Sequence, residues 1–401
     1  MKSEKTHFNI SQLTIMVMLF LTGLNFLNLY PYFIYAAVLF VVLENKRTLM
    51  IDNWFIVLLL LSTCFVIFYP GASTSITVIL KQYNYPLCYL IGLNLIGLDN
   101  KPSPQLYDQQ LKIVIVTIAL GSFLHYMLNM IYNFDSTTRN TVDVWTGERI
   151  VATGQVCFAI AAIGVFSSWL FSETTKVKKI IAVAGIILAF MYNFILAGRT
   201  LFLLTTVSLG VAFVFAARKE RISRRVLILL SILFAILFLL LIYSQNLFGV
   251  RDWILDSNFS ARFNRLQFFE DTRLNNKYAY FAHFFKYPLG GGKLRAEYGY
   301  AHDLFLDTYS DSGLIALLLL VAFVIGMVVL LLRFLKHQEV CDDCKLLVLC
   351  VYVTIMMEFF LEPILQGVPW VFCMFCVFGG MIKTRCTVQS CYVANVVSKD
   401  E

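Results

Sequence analysis

The sequence predicts an all-α polytopic membrane protein with about twelve transmembrane helices and one long external loop before the tenth. Three observations carry that prediction. Hydrophobic residues make up 59% of the chain and charged residues only 14%, against roughly 45–50% and about 25% in ordinary globular domains. Apolar windows of about 18 residues or more, long enough to cross the hydrocarbon layer as a helix, recur from end to end. The net charge of +7 is carried by short basic clusters between those windows. That is the placement of loop-orienting charge, and no nucleic-acid partner is expected from it.

Taken in order, the apolar runs fall at roughly 10–28, 30–43, 54–69, 75–98, 111–131, 151–171, 180–197, 200–216, 226–243, 312–332, 346–361 and 369–382. The first follows "MKSEKTH", which has the charge order of a signal peptide. No small-residue cleavage site follows it, so it reads as a retained anchor. The second run is short. The fourth carries Lys81, whose stem can reach the interface from a span end. One set of alternate loops ("ENKRTLMID", "DNKPSPQ", "SETTKVKK", "ARKERISRR", "RFLKHQEVCDDCK" and both termini) holds most of the 32 Lys and Arg residues. The short loops of the other set hold only Arg139, Arg149 and Arg199. That asymmetry predicts both termini inside and an even number of spans. The expected organisation is spans one to nine within 1–243, an external catalytic loop 244–311, spans ten to twelve within 312–382, and a cytoplasmic tail 383–401. A smaller external segment covers 132–150.

Residues 244–311 are too rich in Phe, Tyr, Leu and Trp for a disordered tether. "SARFNRLQFFEDTRLNNKYAYFAHFFKYP" spaces its apolar residues at roughly helical intervals, which suggests short amphipathic helices on the membrane. Ten cysteines form no disulfide framework, since most sit inside apolar runs as small hydrophobes. "CDDC" (Cys341, Cys344) has metal-like spacing without a second ligand pair nearby, and reads as plain cytoplasmic loop.

Polar groups gather at the expected outer face. "LAGRT" puts Arg199 at the end of the seventh span, Glu358 falls in the outer half of the eleventh, and Glu362 at its exit. Arg262 and Arg265 lie in the long loop. His302, Asp303, Asp307 and Asp311 lead into the tenth span, and a helix over 302–311 would align the aspartates at i, i+4 and i+8. Such a stripe must face water or pair with the loop's cations, unless it is simply an acidic helix start. "YPLGGGK" (Gly290–Gly292) lacks the ending of a phosphate-binding P-loop and reads as a tight turn presenting backbone N–H groups. Trp145, Trp253, Phe268, Phe269, Tyr278 and Tyr280 suit either interfacial anchoring or stacking on sugar rings.

The succession "NFSARFNRL…FFKYPLGGGK…YGYAHDLFLDTYSDSGLIALLLL" resembles the signature region of the O-antigen ligase/polymerase superfamily, the Wzy- and WaaL-like proteins. The matching features are Arg262, Pro288 with Gly290 and Gly292, His302 with Leu306, and Gly313; "AGRTLFLLTTVSLG" adds Arg199. Asp303 stands where that family usually has Asn, and Gly198 where it has Ser. The motifs cover about 75 residues. The resemblance implies transfer of glycan from an undecaprenyl-diphosphate carrier at the outer face of a bacterial cytoplasmic membrane, with no metal or other cofactor. It implies Arg262 and Arg199 as the grip on the diphosphate leaving group, with Arg265 as an alternative and Gly290, Gly292 and Asp303 as further substrate contacts. Arginine suits that task because it is permanently charged and bidentate. His302 is expected to accept the acceptor hydroxyl's proton or to bind the diphosphate as imidazolium, and Glu358 is a further candidate base. Implied partners are the lipid-linked oligosaccharide donor and acceptor, membrane lipids, a chain-length regulator and a flippase. Polymerisation of repeat units into O-antigen, capsular or exopolysaccharide is the leading expectation. Ligation to lipid A-core is the alternative with the same donor, and a lipid-linked-oligosaccharide flippase the alternative of another class.

Overall fold

A computed structural model describes residues 9–45, 48–68, 76–96, 103–134, 141–218, 244–246, 249–255 and 272–397. The helices run in order as α1 (Ile10–Gly23), α2 (Tyr30–Glu44), α3 (Asn53–Phe68), α4 (Ile76–Gln82), α5 (Asn84–Asn94) and α6 (Pro104–Tyr132). A small antiparallel hairpin follows, pairing β1 (Thr141–Val142) with β2 (Arg149–Ile150). Then come α7 (Ala152–Cys157), α8 (Ile160–Phe171), α9 (Lys176–Leu196), α10 (Thr200–Ala217) and α11 (Val250–Leu255). The remainder is α12 (Thr272–Ala282), α13 (Lys293–Tyr298), α14 (Leu304–Lys336), α15 (Asp342–Glu358), α16 (Ile364–Gly367) and α17 (Trp370–Val397).

The chain is therefore all-α with the composition of a membrane protein. Among the described residues, four helices, α6, α9, α10 and α14, are long and apolar enough to cross a membrane by length and composition, and α1, α2, α3 and α8 are shorter apolar helices. A helix stands at each expected apolar run that falls within the described residues, while 226–243 lies outside them. Two runs differ from a single rod. The fourth is split into α4 and α5, and the sixth into α7 and α8. The tenth begins earlier than the apolar run does, because Asp303 caps α14 by accepting from the N–H groups of Phe305 (3.0 Å) and Leu306 (3.2 Å).

Packing follows from small residues as much as from bulk. Between lipid-solvated helices, close approach of backbones supplies the attraction that hydrophobic exclusion cannot. Gly92 on α5 meets Gly380 on α17 in this way: a Cβ on Gly92 would stand 2.1 Å from the Val377 carbonyl oxygen, and one on Gly380 2.4 Å from that of Tyr89. Beside this contact, Tyr85, Phe323, Phe359, Phe372 and Phe375 interlock edge to face and tilted, with ring centroids 5.1–6.1 Å apart. At one end of the bundle α12, α13, the start of α14, the end of α15 and α16 gather. At the other, buried Asp108 of α6 accepts from Arg385 Nε of α17 at 2.8 Å and from the backbone N–H of Cys341 at 3.1 Å.

Candidate functional site

The site is built where α12 lies across the ends of α14 and α15. Arg273 and Lys277 are one helical turn apart, so both reach the same neighbours. The Arg273 guanidinium donates to Glu362 Oε1 and to the Leu361 carbonyl oxygen, each at 3.1 Å. Lys277 donates to Asp303 Oδ2 at 3.2 Å and to the Phe360 carbonyl oxygen at 2.8 Å. These two cations therefore neutralise two carboxylates that are nearly buried, Glu362 at 2% and Asp303 at 7% exposure.

His302 lies on the other side of Glu362, with Nδ1 3.5 Å from Glu362 Oε2. That is within ion-pairing range but outside hydrogen-bond geometry. The expected helix over 302–311 does not include His302. Its backbone is left-handed, with φ 54°, and α14 starts two residues later. Such a conformation is disfavoured for a side chain with Cβ and has to be held by its surroundings. Asp307 holds it: Oδ1 accepts from the N–H of Ala301 at 2.8 Å and Oδ2 from that of Asp303 at 3.0 Å, so one carboxylate clasps the chain on both sides of the histidine. The aspartate stripe is thus buried, and two of its members pair with cations of the 244–311 segment, as expected of a stripe that does not face water. Asp303 caps the helix and meets Lys277; Asp307 clasps the histidine loop. Asp311 accepts from Arg295 Nη1 and Gln366 Nε2, both at 2.8 Å.

The glycine turn serves the same assembly. Within α14, Gly313 adopts φ 82°, which breaks the helix. The turn at 288–292 fills the break: Gly291 N–H donates to the Asp311 carbonyl, Gly292 N–H to that of Ser310, and Leu314 N–H to that of Pro288, at 2.8–2.9 Å. Gly290 N–H is taken by the Tyr287 carbonyl. The N–H groups that the sequence offers to a phosphate are therefore engaged with protein. Only glycine fits here, since a Cβ on Gly290 would lie 2.4 Å from the Gly313 nitrogen.

Next to this cluster is a cavity of about 710 Å³. Its walls are Lys81 from α4, Arg149 from β2, Asp143 and Glu148 from the hairpin, Cys157 and Phe158 from the α7–α8 break, and Glu362, Gln366 and Trp370 from the turn around α16. Two buried acids underlie it. Glu358 Oε1 accepts from the Cys157 thiol at 3.1 Å, and its Oε2 has no hydrogen-bond partner among the described residues. Asp143 Oδ2 is 2.8 Å from His125 Nε2. Burial raises the Asp143 carboxyl, but the hydrogen bond and charge of His125 and the N–H groups of Trp145 and Thr146 outweigh it and hold the group below the usual carboxylate range.

The structure thus brings together His302, Asp303, Gly290, Gly292 and Glu358. Arg199 stands at the N-terminus of α10, half-buried, and its guanidinium makes no hydrogen bond or ion pair among the described residues. Gly198 beside it is required, because a Cβ there would lie 2.3 Å from Asn193 Oδ1. Arg262, Arg265, Phe268 and Phe269 lie outside the described residues, as does the side chain of Trp253. Trp145 and Tyr280 are committed to the fold, the first donating to the Leu24 carbonyl and the second to that of Gly299. Tyr278 is exposed. Lys81 lines the cavity. Sequence reasoning missed Arg273, Lys277, Arg295 and Asp307's role. The one-turn spacing of Arg273 and Lys277, opposite acids expected at a span end, is the signal that could have found the first two. Neither the family models nor the curated proteins compared with this chain match it.

Proposed function

We propose that this chain is a glycan polymerase of the cytoplasmic membrane, joining undecaprenyl-diphosphate-linked oligosaccharide units at the outer face. The observation that carries the reading is the convergence of His302 and Arg273 on Glu362, a buried carboxylate that also lines the large cavity. The signature-like order of Arg262, the glycine turn, His302 and Gly313 supports it, and so does the clustering of basic residues in alternate loops. In this reading the chain has twelve spans with both termini inside, and residues 244–311 face outward.

Transfer forms a bond from an acceptor hydroxyl oxygen to the donor's anomeric carbon and breaks that carbon's bond to the diphosphate. The hydroxyl proton goes to a base, and the carrier diphosphate leaves with added negative charge. His302 takes the proton: Glu362 beside Nδ1 stabilises the imidazolium that forms, and Arg273 holds Glu362 in place from its other oxygen. Arg199 and Arg262, with Arg265 as alternative, hold the diphosphate. Preorganised cations at developing charge are worth a few kcal/mol of barrier.

The test uses purified protein in liposomes, given lipid-diphosphate-linked repeat units. Carrier-diphosphate release and chain growth are followed together. His302→Ala, Arg262→Ala and Arg199→Ala are each expected to abolish both at normal expression. Unchanged turnover in these variants refutes the assignment. Release that requires lipid A-core and yields no chain growth makes the chain a ligase. Carrier movement across the bilayer without glycosidic bond formation makes it a flippase.

A further inference from the structure

A second cluster lies at the opposite end of the bundle from His302. "CDDC", read from sequence as plain loop, is the first turn of α15, with Cys341 at the N-cap and exposed, and Cys344 one turn inside and fully buried. Lys112 of α6 donates from Nζ to Cys341 Sγ at 3.9 Å. An ammonium has only donors, so the sulfur is the acceptor in this contact, as a thiolate is. Cys344 Sγ is 3.7 Å from the Asp108 carbonyl oxygen, and its thiol is also within hydrogen-bonding reach of Cys341. Asp108 additionally accepts the Cys341 N–H through Oδ2 and Arg385 through Oδ1, so the pair is fixed to a buried junction of α6, α15 and α17.

From this geometry we propose that Cys341 and Cys344 form a redox-active dithiol, with Cys341 as the attacking sulfur and Cys344 as the resolving one, exchanging with low-molecular-weight disulfides such as glutathione disulfide. The step balances. The Cys341 thiolate attacks one sulfur of the incoming disulfide and releases one thiolate. Cys344 then loses its proton and attacks the mixed disulfide at Cys341. A second small thiol leaves, and the Cys341–Cys344 bond remains. Two electrons pass from the protein to the small disulfide, and excess small dithiol reverses the change. Four features favour this order. Cys341 is the accessible sulfur, it stands at the N-terminus of a 17-residue helix, a lysine faces it, and its partner is three residues on. The hydrogen bond from Cys344 and the charge of Lys112 hold the Cys341 thiol down to about 6, against the raising effects of its partial burial and of the facing Asp108 carboxylate. The acidic groups nearest it in sequence are Asp342 and Asp343, which also favour the helix terminus. The other cysteines whose side chains are described are buried or half-buried.

The experiment treats the full-length protein in detergent with glutathione disulfide at pH 7 and maps each cysteine by peptide mass, with no dependence on glycan transfer. Wild type is expected to lose both thiols of the 341–344 peptide together, as an internal disulfide that dithiothreitol reverses. Cys344→Ser should instead accumulate a stable mixed disulfide at Cys341, and Cys341→Ser should leave Cys344 unmodified. In a companion measurement, alkylation of Cys341 by iodoacetamide at pH 7 should run about fivefold faster in the folded than in the SDS-denatured chain. That figure combines the larger thiolate fraction with the lower nucleophilicity of a less basic thiolate. A wild-type adduct that stays mixed, a Cys344→Ser protein no more reactive than Cys341→Ser, or equal alkylation rates in folded and denatured chain would each overturn the proposal.

Discussion

At the scale of single residues, the site depends on three positions with left-handed backbone: His302, Gly290 and Gly313. The two glycines make a paired test. A Cβ on Gly313 would lie 2.6 Å from the Pro288 carbonyl oxygen, and one on Gly290 would strike the backbone of 311–313. Gly291 has the same φ of 77° as Gly290 but open space around it. Gly290→Ala and Gly313→Ala are therefore expected to lower the thermal midpoint in detergent well beyond Gly291→Ala, which carries only the conformational strain of about 1 kcal/mol. Equal shifts for all three would show that the turn does not plug the break. Asp307 gives a second test. Asn in its place keeps one acceptor oxygen but turns an amide toward a backbone N–H, a mismatch costing about 1–3 kcal/mol. Because Asp307 acts through His302, Asp307→Asn should lower kcat for carrier-diphosphate release while leaving KM for the donor near its wild-type value. A change confined to KM contradicts the positioning role.

At the scale of elements, two attachments are separable. Helix α12 is held to the ends of α14 and α15 by Arg273 and Lys277. Removing Arg273 leaves the nearly buried Glu362 without its guanidinium, so Arg273→Ala should release α12 and speed limited proteolysis within 272–290. Arg273→Lys should restore part of the protection, and an unchanged cleavage rate in Arg273→Ala counts against the docking. The hairpin is held by Asp143. Its carboxyl is lower in the fold than in the unfolded chain, so its contribution is complete above about pH 4 and is lost as pH falls through the lowered value. Asp143→Asn should therefore weaken amide protection across 141–150 at neutral pH and flatten its acid dependence. Much of this architecture was legible in the sequence, because apolar runs and the gathering of His302 with acids at one end are local signals. What was not legible is long-range or depends on register. The apolar run placed the tenth span from residue 312, whereas the cap at Asp303 starts the helix earlier and Gly313 interrupts it. The aspartates meet cations of the 244–311 segment as expected, but which ones is decided by packing: Lys277 takes Asp303 and Arg295 takes Asp311. No one-dimensional pattern states that Asp307 bonds backward around a histidine, or that the N–H groups of Gly291 and Gly292 close on the carbonyls of Asp311 and Ser310 at the helix break rather than on a ligand.

At the scale of the whole molecule, the Gly313 break divides α14 into parts with different solvents. Residues 314–336 rise about 34 Å as a helix, close to the roughly 30 Å hydrocarbon thickness. Residues 304–312 carry Asp307 and Asp311 with their partners and are built into the polar end instead. The molecule thus has two polar ends: the cavity with His302 and Glu362 at one, and Asp108, Arg385 and the cysteine pair at the other. In the proposed orientation, which rests on the loop charges, the first faces outside and the second the cytoplasm. That assignment predicts opposite labelling in intact spheroplasts. A single cysteine placed at the exposed Tyr278 in a protein without other reactive thiols should react with a membrane-impermeant maleimide from outside. Cys341, kept alone in a second variant, should react only after the membrane is opened. The reverse pattern would turn the molecule over, place the cavity on the cytoplasmic side, and remove the basis for glycan transfer at the outer face. It would leave the dithiol chemistry of Cys341 and Cys344 intact, because that rests on contacts within one end of the bundle and not on which compartment the end faces.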